Sequence, residues 1–249
     1  VIYPLKHGRV AASVAMPRDR SRSSRRTPLQ GIHEPKLVHI TKCAGKALED
    51  WGFERGYAWG RHWKRIKEAW SKGLVAPHEN CMKSEPWHLP PSLFLQSPYE
   101  GFEVFTVVRD PYERAISEFR CPWKGYQAPT GSSQERKAQR AAATAAQLNV
   151  WLQKKLRGGA ARQPFRNGHL IPQHLYLVDG CGARLIPERN VLRMECLDGA
   201  FAELVSRYGL TPAPLRRANE SSMPRFTIWD LTAETCRLVE SEYAEDFDL

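Results

Sequence analysis

Two lysines and a run of small residues follow the first apolar stretch of the sequence. Residues 37–40 predict a strand, residues 41–46 (Thr-Lys-Cys-Ala-Gly-Lys) a loop, and an amphipathic helix follows. In such a turn the backbone N–H groups and the helix N-terminus converge and favour an anion. A Walker A loop would have Gly in place of Ile40 and Ser or Thr in place of Ala47, so the magnesium-binding hydroxyl is missing. The pattern predicts a phosphate site without magnesium, and an ordinary turn with surface lysines is the alternative.

A second strand and helix follow at residues 103–119. Residues 103–108 are rich in the β-branched and aromatic residues that favour strands, and all of residues 104–108 except Thr106 are apolar. Asp110 suits the N-cap of the following helix, Pro111 suits its first position, and Glu113 completes a capping-box pattern. The pattern predicts a strand, a tight turn and a helix.

Arg109 and Ser117, eight residues apart, form the second candidate anion site. The planar guanidinium of Arg109, at the end of the strand, can bind a phosphate through two hydrogen bonds. Ser117 lies about two turns into the helix, on the face of Asp110, Glu113 and Arg114. The alternative is that Arg109 pairs with Asp110 or Glu113 and that Ser117 has no role.

Strands alternate with helices along the chain, which predicts an α/β fold with a mainly parallel sheet covered on both faces. Helical spacing marks 63–70, and prolines exclude regular structure at 85–91. The other predictions are an exposed insertion at 127–147 that leads into a helix, a hairpin at 175–186, a strand at 190–194, a helix stopped by Gly209, and a last helix from Thr232.

The basic charge is concentrated at the N-terminus. The chain has 249 residues and a net charge of +10, but residues 1–30 hold seven basic side chains against Asp19 alone. We therefore predict a basic disordered or stem-like segment at 1–34 and a single domain at 35–249, with no specific nucleic-acid partner. No run approaches the roughly 18 to 20 apolar residues of a membrane span. The six cysteines form no CxxC pair, so no structural zinc motif is present and disulfides are permitted but not required.

Residues 37–48 and 107–119 resemble the two donor-binding motifs of the sulfotransferases that use 3′-phosphoadenylyl sulfate (PAPS). The resemblance is closest to the Golgi carbohydrate O-sulfotransferases, in the heparan or uronyl 2-O-like branch. Residues 190–197 and 231–247 resemble the closing strand and helix of these enzymes. The resemblance implies a P-loop-type α/β fold, transfer of a sulfuryl group from PAPS to a hydroxyl of a carbohydrate acceptor with PAP as product, and no metal.

The resemblance also implies donor-binding residues. The 3′-phosphate is assigned to Arg109 and Ser117, with a further basic contact from Arg225 to the 3′-phosphate or the adenine. Thr41, Cys43 and Lys46 depart from the family's usual loop, so backbone N–H groups and the Lys46 charge replace its hydroxyl. The 5′-phosphosulfate is assigned to Lys42, Cys43, Ala44, Gly45, Lys46 and Ala47.

Sulfuryl transfer to an alcohol needs a base for the hydroxyl proton and a cation at the bridging oxygen of the leaving group. Lys42 is the predicted cation. His88 lies in the proline-bounded loop about where similar uronyl 2-O-sulfotransferases have their catalytic histidine, and it is the predicted base; His78 is the second choice.

The acceptor is predicted to be an anionic glycan, with a small molecule as the alternative. Aromatic faces and basic side chains around the proposed base suit an anionic sugar chain, although such tryptophans are more often core residues. A magnesium-dependent nucleotide kinase and a basic nucleic-acid-binding protein are the competing functions. The resemblance implies a Golgi lumen location, membrane-bound only through an anchor outside these residues. The candidate acceptor residues are Trp59, Arg61, Trp63, Lys64, Arg65, Trp70, Trp87, His169, Gln173 and His174.

Overall fold

Three short parallel strands form the central sheet. They are β1 (Lys36–Leu37), β2 (Val104–Val108) and β3 (Val191–Arg193), in the order β1-β2-β3. Both outer strands run parallel to β2. Every residue of β2 is buried, as expected of a parallel strand covered on both faces. The prediction of an α/β fold with a parallel sheet flanked by helices is confirmed.

The computed structural model describes residues 34–75, 85–157, 169–216 and 221–249. Residues Ile32–Leu249 form one compact unit. The predicted N-terminal segment, except for Glu34, and His78 lie outside the described residues. In the described ranges, no helix combines the length and apolar character needed to cross a bilayer.

Six of the seven helices within the described ranges pack in two groups, and the seventh, Ser133–Ala141, has no buried residue. One apolar core lies between the sheet and three helices, where Trp51 stacks on Trp59 at 5.6 Å between ring centroids. A second core joins three other helices through Phe119, Leu152 and Val239. The helices are α1 (Gly45–Glu54), α2 (Lys64–Ser71), α3 (Pro111–Phe119), α4 (Ser133–Ala141), α5 (Ala145–Arg157), α6 (Leu197–Arg207) and α7 (Ala233–Glu242).

The start of α3 follows the sequence pattern in part. The Asp110 side chain accepts a hydrogen bond from the Glu113 N–H, and Pro111 occupies the first helical position. The reciprocal half of the predicted capping box is wrong. The Glu113 carboxylate accepts from the Arg109 guanidinium instead, and the Asp110 N–H donates to Glu195.

Two other predictions need correction. The strand predicted at 37–40 is shorter in the structure, where it covers Lys36–Leu37. The Val38 carbonyl accepts from the Thr106 hydroxyl at 2.7 Å, in place of a further ladder bond. The predicted hairpin at 175–186 is reduced to one antiparallel bridge, since a 3₁₀ helix occupies Gln173–Tyr176. The Asp246 carboxylate accepts from the first two N–H groups of that turn, at 2.7 and 2.9 Å, and so fixes the helical turn.

The loop and insertion predictions are refined by short helices. The proline-rich stretch at 85–91 contains a 3₁₀ turn at Pro86–His88 and enters a second at Pro91–Leu93. The insertion at 127–147 contains α4, which begins with a capping box between Ser132 and Glu135. The strand at 190–194, the stop at Gly209 and the cap at Thr232 are confirmed.

Candidate functional site

The loop between β1 and α1 leads into a helix whose first N–H groups have no intrahelical acceptor. Lys42 and Ala44 adopt left-handed conformations, with φ of 68° and 58°. Ala44 provides no side-chain cap, and the first helical bond is from the Leu48 N–H to the Ala44 carbonyl. The N–H groups of residues 45–47 therefore have no acceptor within the helix. An anion placed there would be stabilised by these donors and by the helix dipole.

Gly45 is required at this helix start because a histidine ring packs over it. A Cβ at Gly45 would lie 2.0 Å from Nε2 of His39. The other ring nitrogen of His39 lies 2.7 Å from Oε1 of the buried Glu49, which also accepts from the Arg61 N–H at 3.0 Å. The His39 ring is thus fixed between β1 and α1.

The side chains of this loop differ in whether they remain available to bind an anion. The Lys46 ammonium pairs with Asp50, which also pairs with Arg61. The Cys43 side chain is buried, its thiol donates to Gln173 Oε1 at 3.3 Å, and burial raises its pKa to about 11. Only the backbone of Cys43 remains for an anion. The Lys42 ammonium lies close enough to His88 for its charge to affect that imidazole.

Gln173 joins the two predicted anion sites. It is fully buried. Its Oε1 accepts from the Arg109 N–H at 2.9 Å, and its Nε2 donates to the Arg109 carbonyl at 2.8 Å. The same Oε1 accepts from Cys43. Both ends of its amide are used inside the protein, so the Gln173 side chain is not available to an acceptor.

Arg109 lies beside the loop after β1. Its Nη2 donates to Glu113 Oε2 at 3.0 Å, which is the pairing that the sequence left as an alternative. Its Nη1 is 3.5 Å from the Lys42 carbonyl. Because the carboxyl ends of parallel strands share one edge of a sheet, the two loops meet there.

Arg120, at the end of α3, is close enough to Arg109 and Arg225 for their charges to affect it. Ser117 and Arg120 follow Glu113 at intervals that place them on one helix face. The pKa of the Arg120 guanidinium is lowered by burial and then by the charges of Arg109 and Arg225. Its Nε atom is buried and has no hydrogen-bond partner among the described residues. The group is a cluster of cations with an unsatisfied donor, which an anion would stabilise.

Three histidine rings lie in a row at the same edge. The ring centroids of His39 and His88 are 4.6 Å apart, and those of His88 and His169 are 5.4 Å apart. Burial, followed by the charges of His39, His169 and Lys42, holds the pKa of His88 well below its usual range. His88 is therefore neutral at pH 7 and has a lone pair for a proton. The Tyr176 hydroxyl donates to the His88 carbonyl at 2.8 Å and fixes this turn.

His169 belongs to a buried polar cluster with Glu118 and Cys121. Its Nδ1 lies 2.9 Å from Glu118 Oε2, and it is hydrogen-bonded to the Cys121 thiol. Burial opposes its charge, but the bonds to Cys121 and Glu118 outweigh burial and raise its pKa to about 9. Neighbouring His88 and His169 thus hold opposite protonation states at pH 7.

Sequence reasoning missed several of these residues. Arg114 was noted only as a helix-face neighbour, yet it is buried and donates to the carbonyls of Thr41 and His169, at 3.2 and 3.3 Å. The spacing of Glu118 and Cys121 at the end of a helix is visible in the sequence. Their approach to His169 depends on tertiary structure, which no local pattern contains.

The candidate acceptor residues divide into core and surface. Trp59 and Trp63 are buried in the main core, so neither is available to a sugar chain. Trp87 is partly exposed, and the Lys67 ammonium lies 5.7 Å from its ring centroid. His174 pairs through Nδ1 with Asp246 at 2.9 Å. A partly exposed aromatic ring with a cation above it is thus adjacent to His88.

Comparison of the chain with protein-family models, with curated proteins and with solved structures finds no match.

Proposed function

We propose that this protein is a PAPS-dependent sulfotransferase that transfers a sulfuryl group to a hydroxyl of a carbohydrate. The observation that carries the proposal is the pair Arg109 and Arg120, the latter with a buried Nε that has no partner among the described residues, close to a strand–loop–helix turn whose first N–H groups have no acceptor within the helix. PAPS carries phosphate groups at both ends of its ribose, so it needs two anion sites at a fixed separation. Gln173 links the two loops that would provide them.

The two anion sites suit the two ends of the donor. The 5′-phosphosulfate binds the N–H groups of residues 45–47 and the Lys42 ammonium. The 3′-phosphate binds Arg109, Arg120 and the Ser117 hydroxyl, with Arg225 at the exposed side. A sulfotransferase-type P-loop fold is part of the proposal, and it is supported by the parallel sheet and by the loop that follows β1.

The reaction follows from the charges at this edge. The acceptor oxygen attacks sulfur, the bond from sulfur to the bridging phosphate oxygen breaks, and PAP leaves with the electron pair. His88, which is neutral at pH 7, accepts the hydroxyl proton. Lys42 stabilises the negative charge that develops on the bridging oxygen. Each step uses a group from the protein or from the donor.

An anionic glycan is the proposed acceptor class. Helix α2 carries Lys64, Arg65 and Lys67 and packs against the 3₁₀ turn that holds His88. Lys67 and the Trp87 ring supply a cation and a ring face next to the proposed base. Sulfated or uronate-containing sugars match that chemistry. A Golgi lumen location is part of the same proposal and has only the sequence resemblance as support.

Thermal unfolding with three ligands tests the donor assignment. PAP at about 100 times its Kd should stabilise the protein by about 2.7 kcal/mol. ADP, which lacks the 3′-phosphate, should stabilise it much less. Stabilisation by ATP with magnesium alone would favour a kinase instead, and no response to any ligand would refute the proposal.

A matched pair of arginine variants locates the 3′-phosphate. Arg120→Ala should weaken PAP binding by about tenfold or more, since a hydrogen bond to a charged group contributes about 1.5–3 kcal/mol. Arg136→Ala removes an equal charge from the exposed helix α4 and should leave PAP binding unchanged. Equal losses in both variants would show a nonspecific charge effect and contradict the assignment.

A further inference from the structure

A second type of site lies beside the proposed base. Glu118 is in the last turn of α3, and Cys121 follows the helix end, where its N–H donates to the Glu118 carbonyl at 2.9 Å. His169 comes from a separate segment. One ligand atom from each of the three side chains lies within 4.8 Å of the others.

The three side chains match the ligands of zinc. Zinc binds thiolate, imidazole and carboxylate at about 2.0–2.3 Å, so tetrahedral ligand atoms are about 3.3–3.8 Å apart. The ligand atoms lie within 4.8 Å of one another, so the longest separation would have to shorten by about 1 Å, while the 2.9 Å between His169 Nδ1 and Glu118 Oε2 would have to lengthen slightly if Nδ1 is the ligand. A thiolate ligand selects zinc and similar soft cations over magnesium and calcium. Carboxylate and thiolate together balance a charge of +2.

The backbone that carries these ligands is held by arginines. The Arg140 guanidinium donates to the Cys121 carbonyl at 3.3 Å. The Arg114 guanidinium donates to the His169 carbonyl at the same distance. Such outer contacts orient metal ligands and strengthen binding. Glu118 and Cys121 are buried, while the His169 side chain is 13% exposed and offers the path of entry.

We propose that Glu118, Cys121 and His169 bind one zinc-type divalent cation, with a fourth position open to water or another ligand. The site is independent of the proposed sulfotransferase activity, which uses no metal. It adjoins that activity through His169, whose ring is 5.4 Å from that of His88. Zinc binding would displace the proton of His169, because a ligating imidazole is neutral.

Cobalt titration tests the site on the full chain after treatment with a chelator. We expect one Co²⁺ per protein, with the absorption of a thiolate–cobalt bond, and displacement by Zn²⁺ but not by Mg²⁺. Cys121→Ser should remove this absorption and weaken Zn²⁺ binding by more than about 100-fold, because losses of outer-shell partners alone cost 10–100-fold. Cys236→Ser, a half-buried cysteine of α7, is the matched control and should bind as before.

The outcomes distinguish a metal site from a hydrogen-bonded cluster without metal and from metal binding at another cysteine. Absence of thiolate–cobalt absorption in the unchanged protein would leave only a hydrogen-bonded cluster and overturn the proposal. Equal absorption in Cys121→Ser would place the metal at another cysteine and would also overturn it. If Cys121→Ser does not fold by circular dichroism, His169→Gln decides, since it keeps the thiol and should still lose tight binding. PAP stabilisation measured on the same samples shows whether the sulfotransferase proposal fails separately.

Discussion

Replacing Gln173 by Leu should destabilise the protein strongly, because this buried amide connects the two loops of the site. The substitution keeps the side-chain volume nearly constant, so little of the effect comes from a cavity. It removes two hydrogen bonds to the Arg109 backbone, at 2.9 and 2.8 Å, and one from the Cys43 thiol. An unsatisfied buried polar group costs about 1–3 kcal/mol. Two such groups give a loss of about 3 kcal/mol in the free energy of unfolding.

Urea unfolding followed by tryptophan fluorescence measures this loss. At a slope of about 2 kcal/mol per M urea, 3 kcal/mol lowers the midpoint by about 1.5 M. Gln139→Leu is the matched control, because Gln139 is exposed on α4 and its side-chain amide donates to the Thr130 carbonyl at 3.2 Å. Its free energy of unfolding should change by no more than about 0.5 kcal/mol. A midpoint for Gln173→Leu equal to that of Gln139→Leu would refute the view that Gln173 holds the loops together.

The other predictions concern the loop after β1 and the proposed chemistry. Lys42→Ala should lower kcat by more than about 100-fold while PAP affinity falls less than tenfold, because the Lys42 charge acts mainly on the leaving group. Steady-state kinetics measure the first effect and PAP-dependent thermal shifts the second. Equal losses would make Lys42 a binding residue only. His88→Gln should abolish transfer and retain PAP stabilisation, and full turnover in this variant would show that the base lies elsewhere. Gly45→Ala should cost about 1–3 kcal/mol in urea unfolding, because its Cβ would lie 2.0 Å from His39 Nε2. Gly199→Ala, in α6 with no atom near its added Cβ, should instead stabilise the protein by about 0.5–1 kcal/mol, and a similar gain in Gly45→Ala would contradict the packing argument.

Local sequence patterns predicted the elements whose signals are local. The start of α3 was predicted from Asp110 and Pro111, since capping and proline geometry depend on neighbouring residues. The hairpin prediction at 175–186 failed because the Asp246 carboxylate, distant in sequence, fixes a 3₁₀ turn there. The exposed insertion lacked an apolar stripe, so the capped helix α4 was not predicted. Tertiary contacts decided the elements that the patterns missed.

The same distinction applies to the candidate site. Arg109 and Lys42 were selected from their position after strands, and the shared edge of a parallel sheet brings their loops together. The unsatisfied Arg120 and the orientation of Gln173 could not be predicted, because they depend on which long side chains turn inward. That Arg120 Nε is buried without a partner among the described residues becomes visible only in the folded chain.

The arrangement of charge around His88 connects the two proposals. On one side, Lys42 and the arginines supply positive charge for an anion, and after burial and His39 the Lys42 charge also contributes to the low pKa of His88. On the other side, Glu118 and Cys121 hold His169, whose own charge contributes to the same effect. A bound donor would neutralise the first group and favour protonation of His88 as the acceptor proton arrives. Zinc binding would release the His169 proton while Glu118 and the Cys121 thiolate balance the charge of the ion, so it would leave the net charge beside His88 almost unchanged.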